Sequence, residues 1–271
     1  MNRKVLADQI LARMMANRNE ILAQWQSSGP IHYFVLDDVL PPETARRIRS
    51  AYPDGNSMRV RKSLRELKYV AAQMDLFDPI LEETLFAFQD PRIVALVGEI
   101  TGLKALEPDE LLYAGGISMM ARDHFLNPHL DNSHDKELER YRVLNLLYYV
   151  SEDWGLKEGG NLELWPEGTK AQQVTVESRF NRLAVMITNS RSWHSVSPVK
   201  TDRPRCCVSN YYFSPTSPTG RPYFNVTSFS ARPEQTALRV LARVDSALRQ
   251  LVRRVAPGGL GRKDIYEGPQ R

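Results

Sequence analysis

His129 and Asp131 stand two apart in NPHLDNS, residues 127–133, and His194 follows in WHSVSP, residues 193–198. Side chains at i and i+2 of an extended chain share one face. Pro128 disfavours helix for the residue before it, so one strand can aim His129 and Asp131 at a single ion. With His194 they would supply two imidazoles and a carboxylate, the donor set of non-haem Fe(II) oxygenases, which leaves coordination positions open for other ligands. A lone H-x-D pair arises by chance, and His194 by itself reads as a histidine at a strand start. The rest of the chain has to decide.

A second group of residues bears on the same chemistry. In RCCVSNYYF, residues 205–213, alternation puts Arg205, Cys207, Ser209, Tyr211 and Phe213 on one face. A guanidinium buried on that face needs an anionic partner, and a carboxylate held in two parallel hydrogen bonds would serve. No Asp or Glu on a nearby strand is placed to do so, which points to a carboxylate brought by a ligand. In VLNLLYYV, residues 143–150, Asn145, Leu147 and Tyr149 share a face, and Tyr149 could give that carboxylate a second hydrogen bond. Each of these also reads as a core polar group satisfied by backbone.

The elements that must position these residues come in two textures. Residues 4–26 read as one amphipathic helix, with Leu6, Ile10, Met14, Ile21 and Trp25 at near-helical spacing, ended by SSGP at 27–30. HYFVLDDVL reads as a strand and PPETARRIRSAY as a helix opened by proline. Residues 54–80 give no clear pattern, and 79–101 read as mostly helical. From about 110, seven short β-like runs follow between turn signals: GGISMMAR, VLNLLYYV, NLELWP, AQQVTVES, RLAVMIT, HSVSPV and RCCVSNYYFS. Many short strands suggest a sandwich or barrel, with the preceding helices bracing one face. The expected organisation is a single domain: a helical part over 1–110, a β core over about 111–215, and a tail over 233–271.

At this point the sequence resembles the 2-oxoglutarate/Fe(II)-dependent dioxygenases, most nearly their prolyl-4-hydroxylase-like branch. The stretches that carry the resemblance are PHLDN, RVLNLLYYVSEDWGLKEGGNLELWPEG, RFNRLAVMITNSRSWHSVSPV and RPRCCVSNYYF, in family order and spacing over roughly 115–215. The resemblance implies a mainly β fold, a double-stranded β-helix of jelly-roll type with supporting helices. It implies an iron held by His129, Asp131 and His194, with 2-oxoglutarate and O2 as cosubstrates. It gives Arg205 the far carboxylate of 2-oxoglutarate, Tyr149 a second contact to it, and Asn145 a place in the same pocket. The implied reaction couples decarboxylation of 2-oxoglutarate to succinate with oxidation of an unactivated substrate C–H. Hydroxylation is the default, because halogenases of similar sequence lack the carboxylate that Asp131 supplies here. Two departures stand out. The loop before Arg205 is about two residues longer than in the closest relatives, which makes Arg203 a rival for the clamp. The position ten before His129, often tyrosine in that branch, is Met119.

Other features narrow the partners. The chain has 271 residues, 42% of them hydrophobic and 25% charged, and a formal net charge of +4. That charge is not a nucleic-acid signature, and no basic–aromatic stripe supports one. No run is long enough to span a membrane, so no transmembrane helix is expected, and the charges scattered through the first twenty residues make a signal peptide unexpected. The two cysteines, Cys206 and Cys207, are adjacent and read as core residues. The absence of a disulfide framework suits a reducing compartment, so a cytoplasmic location is expected. His124 and His134 flank the triad, His134 in a polar loop that could cover substrate. RVRKSLRELKY at 59–69 reads as a solvated basic face or a contact for an anionic partner. In 233–256 an apolar stripe, Ala237, Leu241, Val244, Leu248, Leu251 and Val255, opposes Arg239, Arg243, Arg249, Arg253 and Arg254. That helix either packs on the β unit or lies on an anionic membrane surface. The expected substrate is a small molecule or biosynthetic intermediate; the alternatives are a prolyl-type protein substrate, an envelope lipid or glycan, and a non-catalytic binding module.

Overall fold

The computed structural model describes residues 1–235 and 266–268. Five helices precede most of the strands: α1 Arg3–Ala16, α2 Arg18–Ser27, α3 Pro42–Ser50, α4 Pro79–Ala87 and α5 Pro91–Thr101. The expected long N-terminal helix is two helices. It breaks at Asn17, whose side-chain amide donates to the Arg13 carbonyl (2.8 Å) and whose backbone leaves the helical region. All five residues of the expected apolar stripe are nevertheless buried. Asp78 and Asp90 cap α4 and α5 by accepting from Ile80 N and Arg92 N, each ahead of a proline at the first helical position. Gly102, at φ 71°, closes α5.

The described strands join one antiparallel sheet. They are β1 Tyr33–Leu36, β2 Arg59–Lys62, β3 Glu66–Ala71, β4 Glu107–Pro108, β5 Gly116–Met120, β6 Phe125–Leu130 and β7 Tyr141–Tyr149. There follow β8 Leu162–Leu164, β9 Val174–Val176, β10 Arg182–Ile187, β11 His194–Val196, β12 Arg205–Ser214 and β13 Ser228–Phe229. The order is β1-β10-β7-β12-β5-β3-β6-β11-β8-β9, with β2 on β3, β4 on β12 and β13 on β6. Arg142 on β7 reaches Asp131 at the end of β6. Arg205 on β12 likewise reaches Ser178 just past β9. These cross-contacts show the sheet curling over on itself into a jelly-roll with a polar interior. On the outer face of β7, Leu144, Leu146 and Tyr148 are buried, and Tyr148 packs on Phe88 beyond α4 (5.5 Å between rings). Helices and strands contribute to the same hydrophobic cluster.

All seven β-like runs become β5 and β7–β12. HYFVLDDVL supplies the expected strand, β1, beside β10, and the stretch without a clear pattern supplies the hairpin β2–β3, whose β3 runs between β5 and β6. The sheet also continues past 215 to β13. Pro233 and Glu234 form a turn. The rest of the arginine-faced helix expected over 233–256 lies outside the described residues.

Candidate metal and 2-oxoglutarate site

His129 sits on β6 and His194 opens β11, and the two pair directly across the ladder. Their rings lie 4.1 Å apart. Asp131 follows β6 by one residue, with its oxygens 3.7 Å from His129 Nε2 and 3.6 Å from His194 Nε2. One ligand atom from each residue lies within 4.8 Å of the others, the geometry of three donors around one ion. Both imidazoles are oriented from behind. His129 Nδ1 is 3.0 Å from the Asn127 carbonyl and His194 Nδ1 is 2.9 Å from the Ser192 carbonyl. A carbonyl can only accept, so each Nδ1 carries the proton and each Nε2 presents its lone pair inward.

Burial keeps His129 unprotonated, with help from His194, and moves its pKa down to about 3 although Asp131 opposes this. Burial would by itself raise Asp131, but Arg142, His194 and His129 outweigh it and hold the carboxyl at about 2. The site is therefore ready to bind a cation without losing protons from its histidine. Asp131 Oδ2 is buried without a hydrogen-bond partner. An orphaned carboxylate oxygen is costly in a protein interior, and a metal ion between these three donors would satisfy it.

Arg142 was not among the residues singled out in the sequence. It is buried, its Nη1 lies 3.3 Å from Asp131 Oδ1, and its guanidinium covers the Tyr211 ring at 4.5 Å. Strict alternation from Asn145 and Tyr149 would turn it outward. The β7–β12 register moves from Leu144↔Tyr212 to Arg142↔Phe213, leaving Val143 as an extra residue. That bulge flips the parity and brings Arg142 inside.

The expected 2-oxoglutarate contacts lie deeper in the same interior. Arg205 is 3% exposed. Its Nε donates to Ser178 Oγ at 3.3 Å, Nη1 lies 3.8 Å from Met120 Sδ, and Cζ stands 4.7 Å over the Tyr149 ring. Among the described residues no carboxylate pairs with it. Tyr149 Oη and Asn145 Oδ1 are both buried and unpartnered, and burial raises Tyr149 to about 12, so it remains a donor. A buried guanidinium with no carboxylate partner, beside a buried phenol, fits a ligand carboxylate. Arg203 sits outside, its guanidinium on the Glu152 and Asp153 carbonyls at 3.0 and 2.9 Å. The pocket wall on β5 is Met120 and not Met119: β12 pairs Arg205 with Met120 and Met119 with Cys206, on the opposite face. Met119 packs in the outer core.

The flanking histidines stay apart from the ion site. His124 packs at a tilt against Tyr69 (4.9 Å), and His134 bridges to Tyr141 and hydrogen-bonds Ser133 Oγ at 2.7 Å. The polar loop after Asp131 folds around the buried Asp135, which accepts from Glu139 N, Arg140 N and Arg140 Nε. Cys206 and Cys207 are free and fully buried.

The family model of the 2OG-Fe(II) oxygenase superfamily matches residues 115–213, which hold every residue of the triad and the carboxylate pocket. Egl nine homolog 1 of Rattus norvegicus is 36% identical over 73 residues, 27% of this chain and 21% of that protein. The chain thus spans about a fifth of the length of this relative. Among solved structures, a Pseudomonas putida prolyl-4-hydroxylase aligns with a TM-score of 0.52 at 16% identity, covering 72% of this chain and 97% of that one. The non-haem α-ketoglutarate-dependent epimerase SnoN from nogalamycin biosynthesis aligns with a TM-score of 0.50 at 18% identity, covering 76% and 87%. These two likenesses establish the jelly-roll fold. Among the described residues no helix is long and apolar enough to cross a membrane.

Proposed function

We propose that this chain, as a member of the 2OG-Fe(II) oxygenase superfamily on its prolyl-4-hydroxylase-like side, hydroxylates an unactivated C–H of a small molecule or biosynthetic intermediate. His129 Nε2, Asp131 and His194 Nε2 hold Fe(II). Arg205 takes the far carboxylate of 2-oxoglutarate and Tyr149 Oη donates to it, while Asn145 lines the pocket. Bound there, the iron would supply O2 activation coupled to decarboxylation of 2-oxoglutarate to succinate. The protein's share is orientation and exclusion of water.

One observation carries the small-molecule reading. On the side of His129 away from His194 the chain itself closes in: Phe229, the cross-strand neighbour of His129, stacks on it at 5.3 Å, and Arg65, at the tip of the β2–β3 hairpin, stands 5.4 Å over Phe229. A wall this close to the triad favours a compact substrate over an extended polypeptide. The second reading is a protein hydroxylase, which the likeness to Egl nine homolog 1 favours. Succinate release stimulated by fractionated small-molecule extracts, with a one-oxygen mass gain in one component, would support the first reading. Stimulation by peptide libraries alone would replace it with the second.

A further inference from the structure

We infer that residues 225–232, beyond the stretch that matches the superfamily, form a clasp that positions all three metal ligands at once. The inference rests on the assignment of His129, Asp131 and His194 as those ligands.

The clasp reaches the strand or turn that carries each ligand in turn. At its start, Asn225 grips the turn that carries Asp131. The Asn225 backbone N–H donates to Ser133 Oγ (3.0 Å), its carbonyl accepts from Ser133 N (2.9 Å), and its side-chain amide donates to the Asp131 carbonyl. In the middle, β13 pairs Ser228 with Leu130 and Phe229 with His129, and Ser230 N donates to the Pro128 carbonyl at 2.7 Å. Pro128 lies between Asn127 and His129, so β6 is held on both sides of the first ligand. The Phe229 ring lies nearly parallel to His129, at 19°.

At its end, Arg232 locks the strand of the third ligand from behind. Ser195 and Glu163 pair across β11 and β8, one residue from the His194↔Leu164 pair, and so face away from the interior. Glu163 receives both Nη atoms of Arg232, at 3.2 and 2.6 Å, and Ser195 Oγ at 2.6 Å. Arg232 Nη2 also reaches the Val196 carbonyl (3.0 Å), and Trp165 Nε1 donates to Ser195 Oγ (2.8 Å). Arg232 and Glu163 are both buried. With both Nη atoms of Arg232 on the Glu163 carboxylate and the pair buried, the bridge fixes how β8, β11 and the end of the clasp meet, whatever its net stability.

Ligand positioning from outside the coordination shell is worth a measurable share of metal affinity, because ordering the rings before binding avoids the cost of ordering them during it. Phe229, Asn225 and Arg232 are thus positioning residues. A merely structural role would lower the melting temperature of the metal-free protein and leave metal affinity unchanged among folded molecules.

The test is a calorimetric titration of the full chain with Ni(II), without 2-oxoglutarate, alongside melting of each metal-free protein. Phe229→Leu and Asn225→Ala should each weaken Ni(II) binding about tenfold or more, whereas Phe229→Tyr, which keeps the stacked ring, should restore it. Thr219→Ala, exposed on the stretch between β12 and the clasp, should bind like wild type. Ni(II) affinity within about twofold of wild type in both Phe229→Leu and Asn225→Ala would overturn the clasp alone. No Ni(II) binding by the wild type, or binding that survives Asp131→Ala, would overturn the ligand assignment and the clasp with it. If Phe229→Leu does not fold, Asn225→Ala decides.

Discussion

His129 is the residue at which protonation, metal binding and stability meet. Its folded pKa of about 3 lies below the ordinary value of 6.5. Between those values the unfolded chain takes up a proton and the folded chain does not, so acidification favours unfolding. Asp131 works in the same direction at lower pH, since its folded value of about 2 lies below the ordinary 3.8. The metal-free protein should therefore lose stability steadily as pH falls from about 6.5 towards 3, each unit of pKa difference counting for about 1.4 kcal/mol. Urea melts across that range should show the slope, and His129→Gln should flatten it; an equal slope in the variant would contradict the assignment. The clamp makes a second prediction. Arg205→Met should raise the KM for 2-oxoglutarate by about a hundredfold, the scale of losing a charge-assisted pair of about 3 kcal/mol. Arg203→Ala, on an exposed residue, should leave it nearly unchanged. At this scale the sequence marked side chains that the fold turns inward: His129, Asp131 and His194 meet, Arg205 lies over Tyr149, and Asn145 shares the Tyr149 face of β7, while what they bind belongs to the proposed function. Arg142 escaped because its direction depends on a bulge at Val143, and bulges leave no mark in an alternating pattern.

At the scale of elements, loops and turns aim the pocket. Gly159 and Gly160 both take positive φ, at 68° and 63°. A side chain at Gly159 would collide with the Pro198 carbonyl, and one at Gly160 would stand 3.2 Å from Arg205 Cδ. Gly160→Ala should therefore raise the KM for 2-oxoglutarate by displacing the Arg205 stem, and steady-state kinetics would check it. Asn181, at φ 60° in the turn before β10, accepts from Tyr148 Oη (2.7 Å) and Leu40 N (3.1 Å) and donates to the Leu40 carbonyl at 2.6 Å. It ties the helical layer to β7. Asn181→Ala strands a buried phenol and two backbone groups and strains a left-handed backbone, so it should cost roughly 2–4 kcal/mol by urea unfolding. Most core strands were legible as short apolar runs between turn residues, since β7, β10 and β12 are buried on nearly every residue. The hairpin β2–β3 was not: β2 is wholly exposed and β3 half-exposed along its length, so no periodicity marks them. β13, two residues long, has too short a pattern to read.

At the scale of the whole molecule, the chain spends most of its length holding a few side chains still. Helices cover the outer face of β7 and β12, the hairpin and the segment after β12 flank the triad, and among the described residues no carboxylate pairs with the buried Arg205. Burying Arg205 in that state is costly, a cost that binding of 2-oxoglutarate would offset. His129, Asp131, His194 and Arg205 would then act together on one iron and one cosubstrate. The most direct measurement is the visible absorption of anaerobic protein with Fe(II) and 2-oxoglutarate. A weak charge-transfer band is predicted in the wild type, absent in Asp131→Ala and His194→Ala and weakened in Arg205→Ala at the same cosubstrate concentration. Folded, iron-loaded wild-type protein that shows no band, or a band that persists in Asp131→Ala, would contradict it.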